Sequence, residues 1–201
     1  MAETIELETP RLRMRCWRDA DREPYARLCA DAQVMRHFPR PLERHQADAD
    51  IDAWLEQFAN RGWSNWALEL KHSGECIGFT GLSVPRRPLP FSPCVEIGWR
   101  LARAHWHQGY ATEAASAALA CGFERLGLEE IVSFTSELNA PSLAVMERLG
   151  MQRADADFDH PALPEGHVLR RHRLYRISQA RWRAQRQARP HAAHSTGGPA
   201  A

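Results

Sequence analysis

The chain has 201 residues, 44% of them hydrophobic and 25% charged, with a formal net charge of +1. That balance suits one compact α/β domain with a real core, and speaks against two domains, a disordered acidic chain or a wholly basic nucleic-acid binder. No apolar run approaches the roughly 18 residues of a membrane span, and the first residues lack a basic-then-apolar leader pattern, so a cytoplasmic protein without membrane contact is expected.

Taken in chain order, Arg11 to Trp17 alternates polar and apolar residues, as a half-buried strand does. Asp19 is placed to cap a helix that buries Tyr25, Leu28 and Cys29. A short helix is expected over Val34 to Phe38, closed by Pro39 and Pro41. A longer amphipathic helix follows over about residues 43 to 60, with Ile51, Trp54, Leu55 and Phe58 at helical spacing. Strands are then expected at Asn65 to Lys71 and Cys76 to Ser83, joined by the hairpin turn His72-Ser73-Gly74-Glu75. Four prolines make Val84 to Pro93 a loop.

Val95 to Leu101 reads as a further strand, after which the pattern turns to alternating strand and helix. Residues 110 to 126 are helical and Glu130 to Ser136 extended. A second helix runs from about Pro141 to Leu149 and stops at Gly150, where a left-handed cap is expected. Two last strands are expected at Gln152 to Ala156 and His167 to Ile177. The whole is α+β, with an antiparallel front half and a β-α-β crossover behind. It forms a single domain over residues 1–182, and residues 183–201 are expected to be a disordered tail.

The five cysteines (Cys16, Cys29, Cys76, Cys94 and Cys121) never fall in C-x-x-C spacing and read as core fillers. The ten histidines form no metal-binding motif, so no metal is expected. Trp54, Trp63, Trp66 and Trp99 could line an acceptor pocket, but core packing is the default for such residues. Lys71 is the only lysine against many arginines. Given that skew, Arg170, Arg171, Arg173, Arg176, Arg181, Arg183, Arg186 and Arg189 read as a solvated strand and helix end rather than an RNA-facing surface.

Chemistry concentrates in Trp106-His107-Gln108-Gly109-Tyr110-Ala111-Thr112-Glu113-Ala114, where a strand passes into a helix. A glycine there admits close approach of a ligand, and the first-turn N–H groups with the helix dipole suit a phosphate or diphosphate. Many α/β proteins use such a glycine merely to turn a corner, so this spacing alone leaves both readings open.

The wider string is more specific. Glu96-Ile97-Gly98-Trp99-Arg100-Leu101, the 106–114 segment, and Asn139-Ala140-Pro141-Ser142 through Met151 together resemble the GNAT superfamily of N-acetyltransferases. Within it the RimJ/RimL-like group of ribosomal-protein alanine N-acetyltransferases is the branch resembled: Thr9 to Arg15 fits its opening T-x-R-L-x-L-R strand, and Tyr175 to Trp182 its closing pattern. The resemblance covers about residues 8 to 182. It implies the acyl-CoA N-acyltransferase fold, a mostly antiparallel mixed sheet of about seven strands flanked by helices.

The resemblance also implies acetyl-CoA as cosubstrate and a primary amine as acceptor. The main chain of Trp99, Arg100 and Leu101 would pair with the pantetheine arm. The amides of His107, Gln108, Gly109, Tyr110, Ala111 and Thr112 would hold the diphosphate. Asn139 would bond the pantetheine or acyl region, and Ser142 would lie near the thioester sulfur. The chain departs from the branch where Trp-Gly-Lys-Gly is usual, since His107 and Gln108 stand for the first glycine and the lysine.

An attacking amine must be neutral, so a base is required. Glu96, flanked by Val95 and Ile97 on its strand, is the first candidate, against the reading of a surface carboxylate. His105 and His107 are the runners-up, and Glu137 follows. Ser142 would assist departure of the thiolate, and a strand amide near Trp99 to Leu101 would meet the oxyanion. Cys94 and Cys121 lack an evident histidine partner and read as buried rather than nucleophilic. The rival reading is a non-catalytic acyl-CoA-binding regulatory module. Monomer and homodimer both stand open.

Overall fold

A short edge, β1 (Leu7–Glu8), starts an antiparallel run that continues through β2 (Leu12–Arg15), β3 (Asn65–Leu70), β4 (Cys76–Ser83) and β5 (Glu96–Leu101). The computed structural model describes residues 2–85 and 87–188. β6 (Glu130–Ser136) is parallel to β5, and β9 (Arg171–Ser178) pairs antiparallel with β6, β7 (Gln152–Arg153) and β8 (Phe158–Asp159). The sheet therefore has nine strands among the described residues, in the order β1-β2-β3-β4-β5-β6-β9-β7, with β8 beside β9. The expected seven is exceeded by β1 and β8, which hold two residues each, too few to show a period of two, while β7 begins where a strand was expected at Gln152 but ends at Arg153 rather than Ala156.

Helices α1 (Arg22–Ala30) and α2 (Arg44–Arg61) cover one face of the front half. They meet it through Tyr25, Trp54 and Phe79, whose ring centroids lie 4.8 to 6.1 Å apart. The crossover from β5 to β6 is α3 (Tyr110–Ala120), which widens over Cys121–Arg125 to an i→i+5 pattern. Its Ala114, Ala115 and Ala118 are fully buried, so small side chains let helix and sheet approach closely. α4 (Ala140–Arg148) follows β6, and α5 (Gln179–Ala188) closes the described chain.

Several expectations need correction. Val34 to Phe38 forms turns, not a helix. The segment is too short to repay helix nucleation and is ended by proline. Asp19 lies in a single 3-10 turn (Asp19–Asp21), and α1 starts after Asp21 with no side-chain cap. The last strand begins at Arg171 rather than His167. Arg183 to Ala188 are helical, where a disordered tail was expected, and Trp182 anchors that helix on Phe123. Residues 189–201, Arg189 among them, lie outside the described residues. No helix among the described residues is long and apolar enough to cross a membrane.

Candidate active site

Trp106 starts the loop that enters α3, and its Nε1 donates to the Leu101 carbonyl at 2.8 Å, tying the loop to the end of β5. Gly109, at φ 81°, turns the chain into the helix. His107 adopts φ 60°, a left-handed conformation that costs about 1–2 kcal/mol away from glycine. As a result the main-chain N–H groups from His107 to Thr112 have no hydrogen-bond partner among the described residues. They form a continuous arc of donors at a helix N-terminus. The Gln108 side chain donates from Nε2 to the Ala104 carbonyl at 3.0 Å.

The loop is braced from the other end of the chain. Arg11, in the turn between β1 and β2, donates from Nη1 to the Gln108 carbonyl (2.9 Å) and from Nε to Glu113 (2.6 Å). Its guanidinium lies 4.3 Å from the Tyr110 ring centre. Glu113 also accepts from the Thr9 hydroxyl at 2.6 Å and the Arg11 amide at 3.0 Å. Burial raises the Glu113 pKa, but these donors outweigh it and hold the carboxyl below its usual range. A Cβ on Gly109 would stand 3.4 Å from Arg11 Nη2, so the loop glycine and the arginine are neighbours.

β5 and β6 part almost as soon as they meet. Their pairing is confined to Glu96 opposite Val132, with Val132 N–H donating to the Val95 carbonyl at 2.9 Å. The Ser133 hydroxyl then donates to the Ile97 carbonyl at 2.9 Å, and no strand continues the ladder. β6 remains fully paired with β9 up to Ser136. The edge of β5 from Gly98 to Leu101 therefore faces a wedge rather than a strand, although the Leu101 carbonyl already accepts from Trp106.

Glu96 sits at the apex of that wedge. It shares a face with Gly98 and Arg100 by strand alternation, and its Oε1 lies 3.9 Å from where a Cβ on Gly98 would be. The side chain is half-buried and makes no hydrogen bond or ion pair with another described residue. Burial alone pushes its carboxyl up to about 8. The Ser142 hydroxyl, in the first turn of α4, likewise has no hydrogen bond within the described residues, and the Ser142 amide meets Asn139 Oδ1 at 3.4 Å. Asn139 caps that helix and donates from Nδ2 to Thr135 at 2.9 Å, which leaves one of its amide hydrogens uncommitted.

The runner-up bases stand elsewhere. His105 contacts Glu75 at 3.2 Å on the β3–β4 hairpin, and His107 is exposed in the donor loop. Both lie beyond the Leu101 end of β5, about 17 Å along the strand from Glu96 at ~3.3 Å per residue. Glu137 is exposed, 3.8 Å from Arg173. Cys94 is half-buried and Cys121 buried, and burial raises both thiols above their usual pKa. Two aromatic walls flank Glu96 on its own face: Tyr25, Trp54 and Phe79 on one side, Phe91, Phe134 and Phe158 on the other.

Two features escaped the sequence. Arg11 and Glu113 both fall within motifs quoted above, but nothing along the chain says that they pair. The Arg100 side chain, hydrogen-bonded to the Tyr25 hydroxyl and Cys29 Sγ, is the second, since the resemblance concerns its main chain alone. Of the C-terminal arginines, Arg170 and Arg171 approach Asp159, Arg173 approaches Glu137 and Arg176 pairs with Glu130, all partly exposed. No cluster of three or more His, Cys, Asp or Glu residues among the described residues could hold a metal ion.

Residues 11–152 match the family model described as an acetyltransferase (GNAT) domain. Among curated proteins, the uncharacterized N-acetyltransferase YnaD of Bacillus subtilis is 34% identical over 178 residues, spanning 89% of this chain and 99% of the relative. The FsC-acetyl coenzyme A-N(2)-transacetylase of Aspergillus fumigatus is 31% identical over 189 residues, spanning 88% of this chain and 77% of the relative. Among solved structures, Mycobacterium smegmatis RimJ in complex with CoA-disulfide superposes with a TM-score of 0.67 at 20% identity, covering 90% of this chain and 93% of that one. At that identity the likeness speaks for the fold alone.

Proposed function

Since the chain belongs to the acetyltransferase (GNAT) family, and so is an acetyl-CoA-dependent N-acetyltransferase, we propose that its acceptor is a primary amine on a protein N-terminus or small molecule, which attacks directly in a ternary complex. The observation that carries this reading is the arc of free amides at His107 to Thr112 beside the open edge of β5. A diphosphate suits the arc, and an extended arm with amide groups suits an unpaired strand edge. The two features adjoin at Leu101 and Trp106, as one continuous ligand requires.

Acetyl-CoA, when bound, supplies an activated thioester carbonyl. In this reading the amides of His107, Gln108, Gly109, Tyr110, Ala111 and Thr112 hold the diphosphate, and the main chain of Trp99, Arg100 and Leu101 pairs with the arm. Asn139 offers its remaining amide hydrogen to the arm or acyl region. Glu96 takes the proton from the acceptor ammonium. With a pKa near 8, it lies roughly two units below a typical alkyl ammonium, where an ordinary glutamate lies roughly six below. Proton transfer is therefore far less uphill. The neutral nitrogen bonds to the acyl carbon and gives its surplus proton to solvent, the carbon–sulfur bond breaks, and the Ser142 hydroxyl hydrogen-bonds the departing sulfur, which takes a proton from solvent. A main-chain N–H near Trp99 to Leu101 meets the oxygen that gains charge.

Within the family we place the chain near the RimJ/RimL-like branch, on Thr9 to Arg15 and Tyr175 to Trp182. The direct test is release of free thiol from acetyl-CoA across a panel of N-terminal peptides and small amines. Release above the background hydrolysis rate with at least one amine is expected. Saturable cofactor binding without such release would identify a regulatory module instead.

A further inference from the structure

Gly98 lies in the middle of β5, on the face that carries Glu96, and is paired with Gly81 of β4. A glycine weakens a strand interior, so it stands there for a turn, for tight packing or for something that comes close to the main chain. Seven of the other described glycines take a positive φ. Gly81 and Gly122 do not, but they have no room. A Cβ on Gly81 would run into Asn65 Cα and the Ser64 carbonyl, and one on Gly122 into Ile131 Cδ1. Gly98 has neither reason. Its φ is not positive, and apart from its chain neighbours the only described atom within 4 Å of an added Cβ is Glu96 Oε1, at 3.9 Å.

That separation matches an amine held by the carboxylate. A nitrogen hydrogen-bonded to Oε1 at about 2.8 Å puts the carbon it carries about 3.6–3.8 Å from the same oxygen. The room at Gly98 thus stands at the distance from Glu96 that the acceptor's amine-bearing carbon must keep. Gly98 and Glu96 are both half-buried, so this room opens toward solvent and is not sealed in the core. Gly81, the cross-strand partner, has no side chain to lean over it. The proposed cofactor contacts of β5 run along its main chain, which an alanine would offer as well as a glycine does.

We propose that Gly98 is a specificity-determining position of the acceptor site: the room in place of its side chain seats the carbon that bears the amine and admits a branch on that carbon. The acceptor class that fits is an amine on a branched carbon, such as the α-amino group of a peptide whose first residue carries a side chain. Unbranched amines fit as well. The proposal rests on the acetyl-transfer reading above, with Glu96 as the base, and deepens it. A methyl group at position 98 would take the place of the branch. One carbon more or less in a fitted site is worth about 10–200-fold in specificity.

The test compares kcat/KM within two pairs that differ by one methyl on the amine-bearing carbon: triglycine with Ala-Gly-Gly, and n-propylamine with sec-butylamine. If only another unbranched amine releases thiol, that amine and its α-methyl homologue take their place. The wild type should use the branched member within about threefold of the unbranched one. Gly98→Ala should lower the branched-to-unbranched ratio by at least about tenfold, with the preference between acetyl-CoA and propionyl-CoA unchanged. The variant should also melt no lower than the wild type, because no atom of the fold occupies the place of the new methyl. A wild type that rejects the branched member, or an unchanged ratio in Gly98→Ala, overturns the proposal while leaving acetyl transfer standing. So does a changed acyl preference with the amine ratio intact, which would give the room to the acyl group. A variant that melts well below the wild type, or does not fold, shows that the fold itself needs the glycine and overturns it too. Absence of thiol release with every amine overturns the transfer reading itself.

Discussion

A carboxyl that titrates near 8 behaves differently from one at 4.5, and Glu96 carries the difference. As a base it must be ionised, so kcat/KM should climb with pH and show an inflection near 8. In Glu96→Gln that inflection should vanish and turnover of alkylamines should fall by about 10²–10⁴-fold, the usual range for a lost general base. An acceptor that is neutral at pH 7, such as an aromatic amine, should lose far less. An equal loss for both acceptors would remove Glu96 as the base. The same burial has a stability consequence. A carboxyl raised on folding contributes stability that is complete below its unfolded pKa near 4.5 and is lost as pH rises through 8. Urea midpoints of Glu96→Gln and wild type should therefore diverge between pH 5 and 9, with the variant ahead at high pH. Strand alternation at Val95-Glu96-Ile97 disclosed which way the side chain points. Its lack of a partner was not legible, because that depends on β6 veering away.

Elements were readable where their sequence period is long and their caps are local. β4 falls where the Cys76 to Ser83 alternation puts it, and α2 lies within a residue of the expected limits. Prediction failed at the two-residue strands β1 and β8, ran β7 three residues too long, and failed at Val34 to Phe38, where tertiary contact decides the outcome. It also missed why β2 and β3 stay together. Arg15 on β2 is buried, with Nε 2.6 Å from Glu69 on β3 and Nη1 2.6 Å from Asp21 in the 3-10 turn before α1. The run from Arg11 to Trp17 reads as an ordinary half-exposed strand because a buried arginine and an exposed one look alike in sequence. Burial raises the Asp21 carboxyl, but the Arg15 and Arg18 donors outweigh it and leave it below its ordinary value. For Glu69 the hydrogen bond from Arg15 is the largest influence and lowers its pKa. Carboxyls lowered on folding add stability above their unfolded pKa and lose it as pH falls through the folded one. Asp21→Ala should cost about 3–5 kcal/mol at pH 7, since it leaves part of a buried guanidinium unpaired. That cost should shrink below pH 4, as denaturant melts at the two pH values would show. A loss under about 1 kcal/mol at pH 7 would mean that water already reaches the pair.

At the scale of the whole molecule, the site is an assembly of pieces far apart in the chain. The β1–β2 turn supplies Arg11, the loop before α3 supplies the free amides, and the diverging β5 and β6 supply the wedge. Arg11 and the amide loop lie within motifs quoted from the sequence, but the divergence of β5 from β6 shows in no motif, and neither does the juxtaposition, since residues 11 and 113 share no local pattern. That construction predicts a linkage between cofactor and stability. At about 100 times its dissociation constant, acetyl-CoA should stabilise the fold by ~2.7 kcal/mol, a melting shift of roughly 5–10 °C for a chain of this size. Arg11 makes its contacts to the loop with the side chain alone apart from one amide, so Arg11→Met should spare the β1–β2 pairing while releasing the Gln108 carbonyl and the Tyr110 ring. If bracing the loop is worth a factor of about ten in cofactor affinity, the stabilisation at the same ligand concentration drops to roughly 1.4 kcal/mol, and the shift should be about half that of the wild type. Calorimetric titration should show the same tenfold weakening. A full-sized shift in Arg11→Met would mean that the amide arc keeps its shape unaided, and that Arg11 serves the fold rather than the site.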